Sequence, residues 1–339
     1  MKVNLFVQLS IAILLNLIFC FQGTAQPVNY KIGKEIKLSG DGGWDYLSVD
    51  EIHHQLFVSH SLQVNVVDLN TGEQMGVIPQ TNGVHGIAVA NNLNRLFISC
   101  GKDSSVLVVE AGTLKVLSRI SGTGNNPDAI LYDRFSQTVY TFNGKSSNAT
   151  VIDGKTFKII ATIPLSGKPE FAQTDNKGKI FVNIEDNSTV SSIDTKDHRV
   201  LKSWSIAPGE EPSGLALDLK NNRLFSVCRN KMMVISDSQT GKVITSVAIG
   251  SGCDGVTFDA ETRLIFASNG EGTITVIQQH SADNYEVIGN ITTQQGARTI
   301  TLDPSTHHLY LSVGEYIPGT DRKRAVKPGT FKVLDILPN

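Results

Sequence analysis

The chain has 339 residues, 40% of them hydrophobic and 18% charged, and a formal net charge of −2. No stretch forms the broad basic face that a phosphate backbone requires, so nucleic acid is not an expected partner. No Pro-rich, Gly-rich or charged linker divides the chain, which reads as one domain after a short leader.

The leader comes first. Lys2, an apolar run over residues 5–21 and the small residues Gly23-Thr24-Ala25 have the order of a secretory signal cleaved after Ala25. The run falls short of the roughly 20 residues of a membrane span, and Phe19 stands where a small residue would precede a lipid-modified Cys20. The expected domains are therefore 1–25, a signal peptide, and 26–339, a single mature domain, secreted or periplasmic and without a membrane span. Loss of Lys2 moves the charge from −2 to −3, and three cysteines remain: Cys100, Cys228 and Cys253.

Residues 28–38 read as a lone strand. Seven copies of one pattern then follow, centred on Phe57, Phe97, Tyr140, Phe181, Phe225, Phe266 and Tyr310, which lie 40, 43, 41, 44, 41 and 44 residues apart. A period of 40–45 built from short alternating strands is the mark of a β-propeller with one four-stranded blade per repeat. Seven residues before the aromatic stands an acid in most copies: Asp50, Asp133, Asp218, Asp259 and Asp303, with Asp175 six before and Ala90 the exception. Such acids suit a turn between first and second strands, where Asp bonds its own backbone. Eleven to thirteen residues after the aromatic, Asp68, Glu110, Asp153, Asp194 and Asp237 close the third strand before a hairpin. In the last repeat an insertion over 314–329 precedes one final strand, leaving that blade one strand short. The expected fold is all-β, a seven-bladed propeller whose last blade is closed by the N-terminal strand, which removes exposed sheet edges.

The aromatic-Val-Ser/Thr cores, as in Phe57-Val58-Ser59, and the later Val66-Val67-Asp68 with Thr71-Gly72 resemble the YVTN-type, YncE-like propeller repeats of secreted and cell-surface bacterial proteins. The likeness covers nearly all of the mature chain. It implies the fold, and it implies little about activity, because members of this broad group bind ligands or proteins while related propellers act as lactonases, lyases or redox subunits.

Chemistry is expected where the repeats differ. Twelve residues before the aromatic, at the start of the innermost strand, stand Asp45, His85, Asp128, Ser213, Asp254 and Arg298, with Glu170 eleven before in its copy. They form a mostly acidic ring at one channel mouth, and His60, Cys100 and Cys228, three residues after their aromatics, are expected on the same face. Asp45, His85, Asp128, Glu170, Arg298, Asp254 and His60 are the candidate ligand-binding residues. The first four together with Asp254, omitting Arg298 and His60, are candidate ligands for one divalent metal ion, which would support lactone or ester hydrolysis. The plainer alternative is that such carboxylates hold water and neighbouring amides. No HExxH, GxSxG, paired-cysteine or haem-attachment pattern is present. The leading expectation is an exported module binding a small molecule or a protein at this mouth, and the second a metal-dependent lactonase-like hydrolase or lyase.

Cys228 and Cys253 read either as a disulfide between adjacent blades or as two buried thiols. His53, His54, His307 and His308 read as solvated turn residues on the opposite face, and His198 and His280 as residues of outer hairpins. The insertion, with Asp321-Arg322-Lys323-Arg324 and Lys327, is the main cationic cluster and is expected to reach the acidic mouth near Arg298.

Overall fold

The computed structural model describes residues 29–317 and 325–339, so the expected leader and the cationic run 321–324 lie outside the described residues. Those described form seven four-stranded antiparallel sheets. In blade 1 the strands are Trp44–Asp50, Gln55–His60, Gln63–Asp68 and Glu73–Ile78, from the channel outward. The innermost strands of blades 2 to 7 are Val84–Ala90, Pro127–Asp133, Pro169–Thr174, Pro212–Asp218, Cys253–Asp259 and Ile300–Asp303. Each packs beside the next, and that of blade 7 returns to that of blade 1, so the ring is closed. Blade 7 takes Tyr30–Lys37 as its outer strand, paired antiparallel with Lys332–Pro338. The N-terminal closure is as the sequence leads one to expect.

Why these residues form these strands follows from where they sit. Second and third strands are covered on both faces by neighbouring blades, so they read as continuous apolar runs such as Leu56-Phe57-Val58, all fully buried. Outer strands alternate, as in Glu73–Ile78 with every second residue exposed. All seven repeat aromatics are buried, and they act as wedges between blades. Phe57 packs with Val84, Ile87 and Leu96 of blade 2, and Tyr310 packs with Leu47, Leu56 and Val58 of blade 1. Each wedge contributes roughly 1.5–3 kcal/mol by burial.

The repeated acids do the turn work expected of them. Asp50 accepts from the amide of Ile52 at 3.0 Å, Asp218 from Lys220 at 2.9 Å and Asp303 from Ser305 at 2.9 Å. Three of the four turn histidines are partnered rather than simply solvated, because each of the three has an acid in reach. His53 Nδ1 lies 2.8 Å from Asp50, His308 Nδ1 2.9 Å from Asp335, and His307 Nδ1 2.7 Å from Asp259. The last of these ties blade 7 to blade 6.

Close approach of innermost strands demands small residues just after the ring positions. A Cβ on Gly255 would stand 2.9 Å from the backbone nitrogen of Ile300 in the next blade and 3.0 Å from Ser268 Oγ. Gly255→Val is therefore expected to destabilise by about 1–3 kcal/mol through overpacking against backbone that cannot step aside. Guanidinium denaturation would show it as a lowered midpoint, and an unchanged midpoint would mean that the seam is looser than described.

Candidate functional site

The innermost strands, and for Arg298 the segment entering the last of them, bring six of the seven candidate residues to one end of the channel. Three consecutive blades supply Asp45, His85 and Asp128. His85 Nδ1 lies 2.7 Å from Asp45 Oδ2 and 3.5 Å from Asp128 Oδ1, so the imidazole stands between two carboxylates. Asp128 Oδ1 is buried and has no hydrogen-bond partner among the described residues. Across the channel, Arg298 Nε meets Asp254 Oδ2 at 2.7 Å, and Arg298 Nη2 comes within 4.0 Å of Asp45 Oδ1. Glu170 is held by Lys168, whose ammonium also pairs with Glu185.

The backbone behind the ring is fixed from neighbouring blades. Ser99 Oγ donates to the carbonyl of Asp128 at 2.6 Å, and Thr299 Oγ1 donates to that of Asp45 at 2.7 Å. Gly101 leaves room for the His85 ring, since a Cβ there would lie 2.8 Å from Nε2.

Below the ring the lumen is narrowed by two aromatics. Tyr46 and Phe171 meet with ring centroids 5.2 Å apart, beside a small cavity also lined by Leu215, Val256 and Ile300. The mouth is thus a cup with an aromatic floor. Arg298 stands on the wall between two depressions of about 330 and 250 Å³, one running toward Tyr316 and the other toward Glu185 and Arg229.

Burial and crowding set the protonation of the cup. Asp254 keeps 31% of its side chain open, but to a lumen walled by protein. Desolvation pushes its carboxyl up, although Arg298 pulls the other way. Desolvation likewise raises Asp128, where Asp45 and Asp254 add to the rise and His85 opposes it. Glu170 is raised by desolvation and by Asp128 against the pull of Lys168. Burial works to lower His85, but the hydrogen bond it donates to Asp45 and the charge of Asp128 outweigh it and lift the imidazole to about 9. Desolvation and four ring carboxylates push the Tyr46 phenol well up.

Tyr46, Phe171, Lys168 and Glu185 are site residues that sequence reasoning missed. Two of them had a legible signal: one position after the ring residue, where other blades carry Gly86, Ala129, Gly214, Gly255 and Thr299, blades 1 and 4 carry aromatics.

The seventh candidate, His60, is not brought into the cup. It is 1% exposed, packed on Phe331 at 3.8 Å between centroids, with Nδ1 3.3 Å from the carbonyl of Ser39 and Nε2 without a partner among the described residues. The chain returning at Phe331 covers it. Desolvation lowers its pKa, so the unfolded chain binds the extra proton and stability is lost as pH falls through 6.5. The Ser39 carbonyl also accepts from Gln63 and Asn65, each at 2.9 Å, so loss of the imidazole does not strand it. His60→Phe is expected to hold or raise stability at pH 7 by up to about 1 kcal/mol and to flatten the acid limb between pH 6.5 and 5. Denaturant midpoints at the two pH values check this, and an acid limb as steep as the wild type's would refute it.

The three cysteines among the described residues form no bridge. Cys100, Cys228 and Cys253 are all free and buried. Cys228 packs with Phe181 and Leu224 in one seam and Cys253 with Phe225 and Val256 in the next, and each thiol donates to a carbonyl two residues away in its own strand. Burial pushes Cys228 up to about 12 and Cys253 well up, so neither is a ready nucleophile. Lys327, from the expected cationic cluster, pairs with Glu315 at 3.0 Å.

A closed seven-bladed ring with a charged cup at one channel mouth defines the class of protein: a β-propeller. No family model matches the chain. It is 23% identical over 209 residues to the uncharacterized protein YncE of Salmonella typhimurium, covering 60% of this chain and 58% of that protein. It is 24% identical over 178 residues to YncE of Escherichia coli O157:H7, covering 48% of this chain and 50% of that one. The matches thus span 50–58% of the length of these curated relatives. Among solved structures, Kuenenia stuttgartiensis hydrazine synthase superposes with a TM-score of 0.69 at 16% identity, covering 80% of this chain and 93% of that chain. U3-55K superposes with a TM-score of 0.76 at 10% identity, covering 91% and 99%. At such identities these structures show the fold alone. Its repeats and its closure make the chain a β-propeller, and over the matched part of its length it is similar to the YncE proteins.

Proposed function

We propose that this chain is an exported binding module that takes a small ligand into the cup at the channel mouth. One observation carries the reading: side chains of both charges converge from the innermost strands over an aromatic floor, on a rigid ring. Concave sites with an apolar base and a few fixed polar groups are what ligands occupy. The floor at Tyr46 and Phe171 limits depth, which favours a small molecule over an inserted protein segment. Export rests on the sequence of the first 25 residues. A second reading, a metal-dependent hydrolase or lyase, is favoured by a different observation, the convergence of Asp45, His85 and Asp128.

The test is a thermal-shift panel of diamines, dicarboxylates and inorganic phosphate, run on the wild type and on Arg298→Gln, with lactone and ester turnover assayed on the same samples. A shift from one class that the variant loses supports the binding module. A shift the variant keeps, or none from any class, counts against it. Turnover replaces it with the second reading.

A further inference from the structure

We infer that Asp45, His85 and Asp128 form a binding site for one divalent transition-metal ion of the zinc or manganese kind, open to the channel lumen. The inference lies in the cup of the proposed function and concerns its inorganic part. Three donors of one imidazole nitrogen and two carboxylate oxygens lie within 4.8 Å of one another. Metal bonds of about 2.1 Å at angles between octahedral and tetrahedral place ligand atoms about 3.0–3.4 Å apart. His85 Nδ1 lies 2.7 Å from Asp45 Oδ2 and 3.5 Å from Asp128 Oδ1, on either side of that spacing, so small side-chain rotations suffice.

Three independent features make this more than a group of acids. The first is the donor set itself, because an imidazole among carboxylates selects transition metals over calcium or magnesium. The second is rigidity: all three residues sit on strands, and their main chains are pinned from behind. Ser99 holds the carbonyl of Asp128, Thr299 holds that of Asp45, and Ser59 Oγ accepts from the Asp45 amide at 3.1 Å. Gly101 leaves room for the His85 ring, where a Cβ would stand 2.8 Å from Cδ2 and Nε2. Fixed outer contacts of this kind orient metal ligands.

The third feature is an unsatisfied donor atom. Asp128 Oδ1 is buried and has no hydrogen-bond partner among the described residues, although it faces His85 Nδ1 at 3.5 Å. A divalent ion held between the three side chains gives that oxygen a partner. Water would complete the coordination on the lumen side.

The test is calorimetric titration of Zn²⁺ and Mn²⁺ into chelator-treated protein, alongside His85→Ala, Asp128→Asn and the control Glu286→Gln on an exposed outer strand away from the cup, each checked for fold by circular dichroism. One site per chain is expected, weakened at least about 100-fold in the first two variants and within about threefold in the control. The visible spectrum of the Co²⁺-loaded wild type gives a second readout that needs no variant, and it should differ from that of aqueous Co²⁺. Absence of binding, binding unchanged in His85→Ala and Asp128→Asn, or an aqueous Co²⁺ spectrum would overturn the inference. If the metal site fails while an organic ligand still shifts the melting temperature, the cup remains a binding site without a metal. Failure of both removes the cup as a site.

Discussion

Deletion of residues 29–38 is expected to remove most of the protein's stability and to leave an aggregation-prone chain. Those residues supply the outer strand of blade 7, paired with Lys332–Pro338. Ile36 and Leu38 are 4% and 6% exposed, and Tyr30 meets Phe266 of blade 6 edge-on at 5.1 Å between centroids. Lys34 reaches the carbonyl of Thr71 in blade 1 at 2.8 Å. One strand therefore joins three blades. Burial of its three large apolar side chains alone is worth about 5–8 kcal/mol, a large part of the roughly 5–15 kcal/mol that stabilises a typical domain. The deletion also bares the backbone of Lys332–Pro338 as an open edge. Guanidinium denaturation should show a midpoint lowered by half or more, and light scattering should detect association at neutral pH. A monomer with the wild-type midpoint would mean that the ring is held shut elsewhere. Ile36→Asp offers a milder form of the test, with a loss of about 2–4 kcal/mol expected from one buried, unpaired charge.

The framework was legible because each repeat aromatic meets the same physical demand. A wedge between blades must be large, apolar and in one place, so seven copies keep the period. The ring was legible for the opposite reason: at a position twelve residues earlier the framework imposes nothing but a small channel, and differences such as Asp45, His85 and Arg298 stand out. What could not be read was the convergence of distant residues. Lys168 pairs with both Glu170 and Glu185, and the spacing of one repeat contains no hint of it. His60 sits at a position that faces the mouth in an open ring, but Phe331, arriving from the far end of the chain, covers it. Cys228 and Cys253 start from adjacent blades, yet the side-chain alternation of their strands sends the sulfurs into different seams. Tyr46 and Phe171 look like core residues in any single repeat, and only closure of the ring makes two such residues meet across the lumen.

His85→Ala is expected to cost about 2–4 kcal/mol at pH 7 in the metal-free protein. The side chains of Asp45 and Asp128 are 16% and 14% exposed, and removal of the cation between them leaves two carboxylates facing each other out of water. Asp128→Asn on the same background should return about 1–2 kcal/mol, since it removes one of the two charges, and the two changes should be strongly non-additive. The dependence on pH has a definite sign. The His85 pKa rises from 6.5 to about 9 on folding, so its contribution is complete below pH 6.5 and is lost as pH climbs through about 9. Folding also raises the carboxyls of Asp128, Glu170 and Asp254, which likewise favours the folded protein at lower pH and weakens it as they ionise. Wild-type stability should therefore fall from pH 6.5 toward 9, and the gap between wild type and His85→Ala should narrow over the same range. Denaturant titrations at pH 6, 7.5, 9 and 10 measure that gap directly. A gap that stays constant from pH 6 to pH 10 would show that the imidazole is neutral in the cup, and that packing against Gly101, not charge, is what His85 contributes.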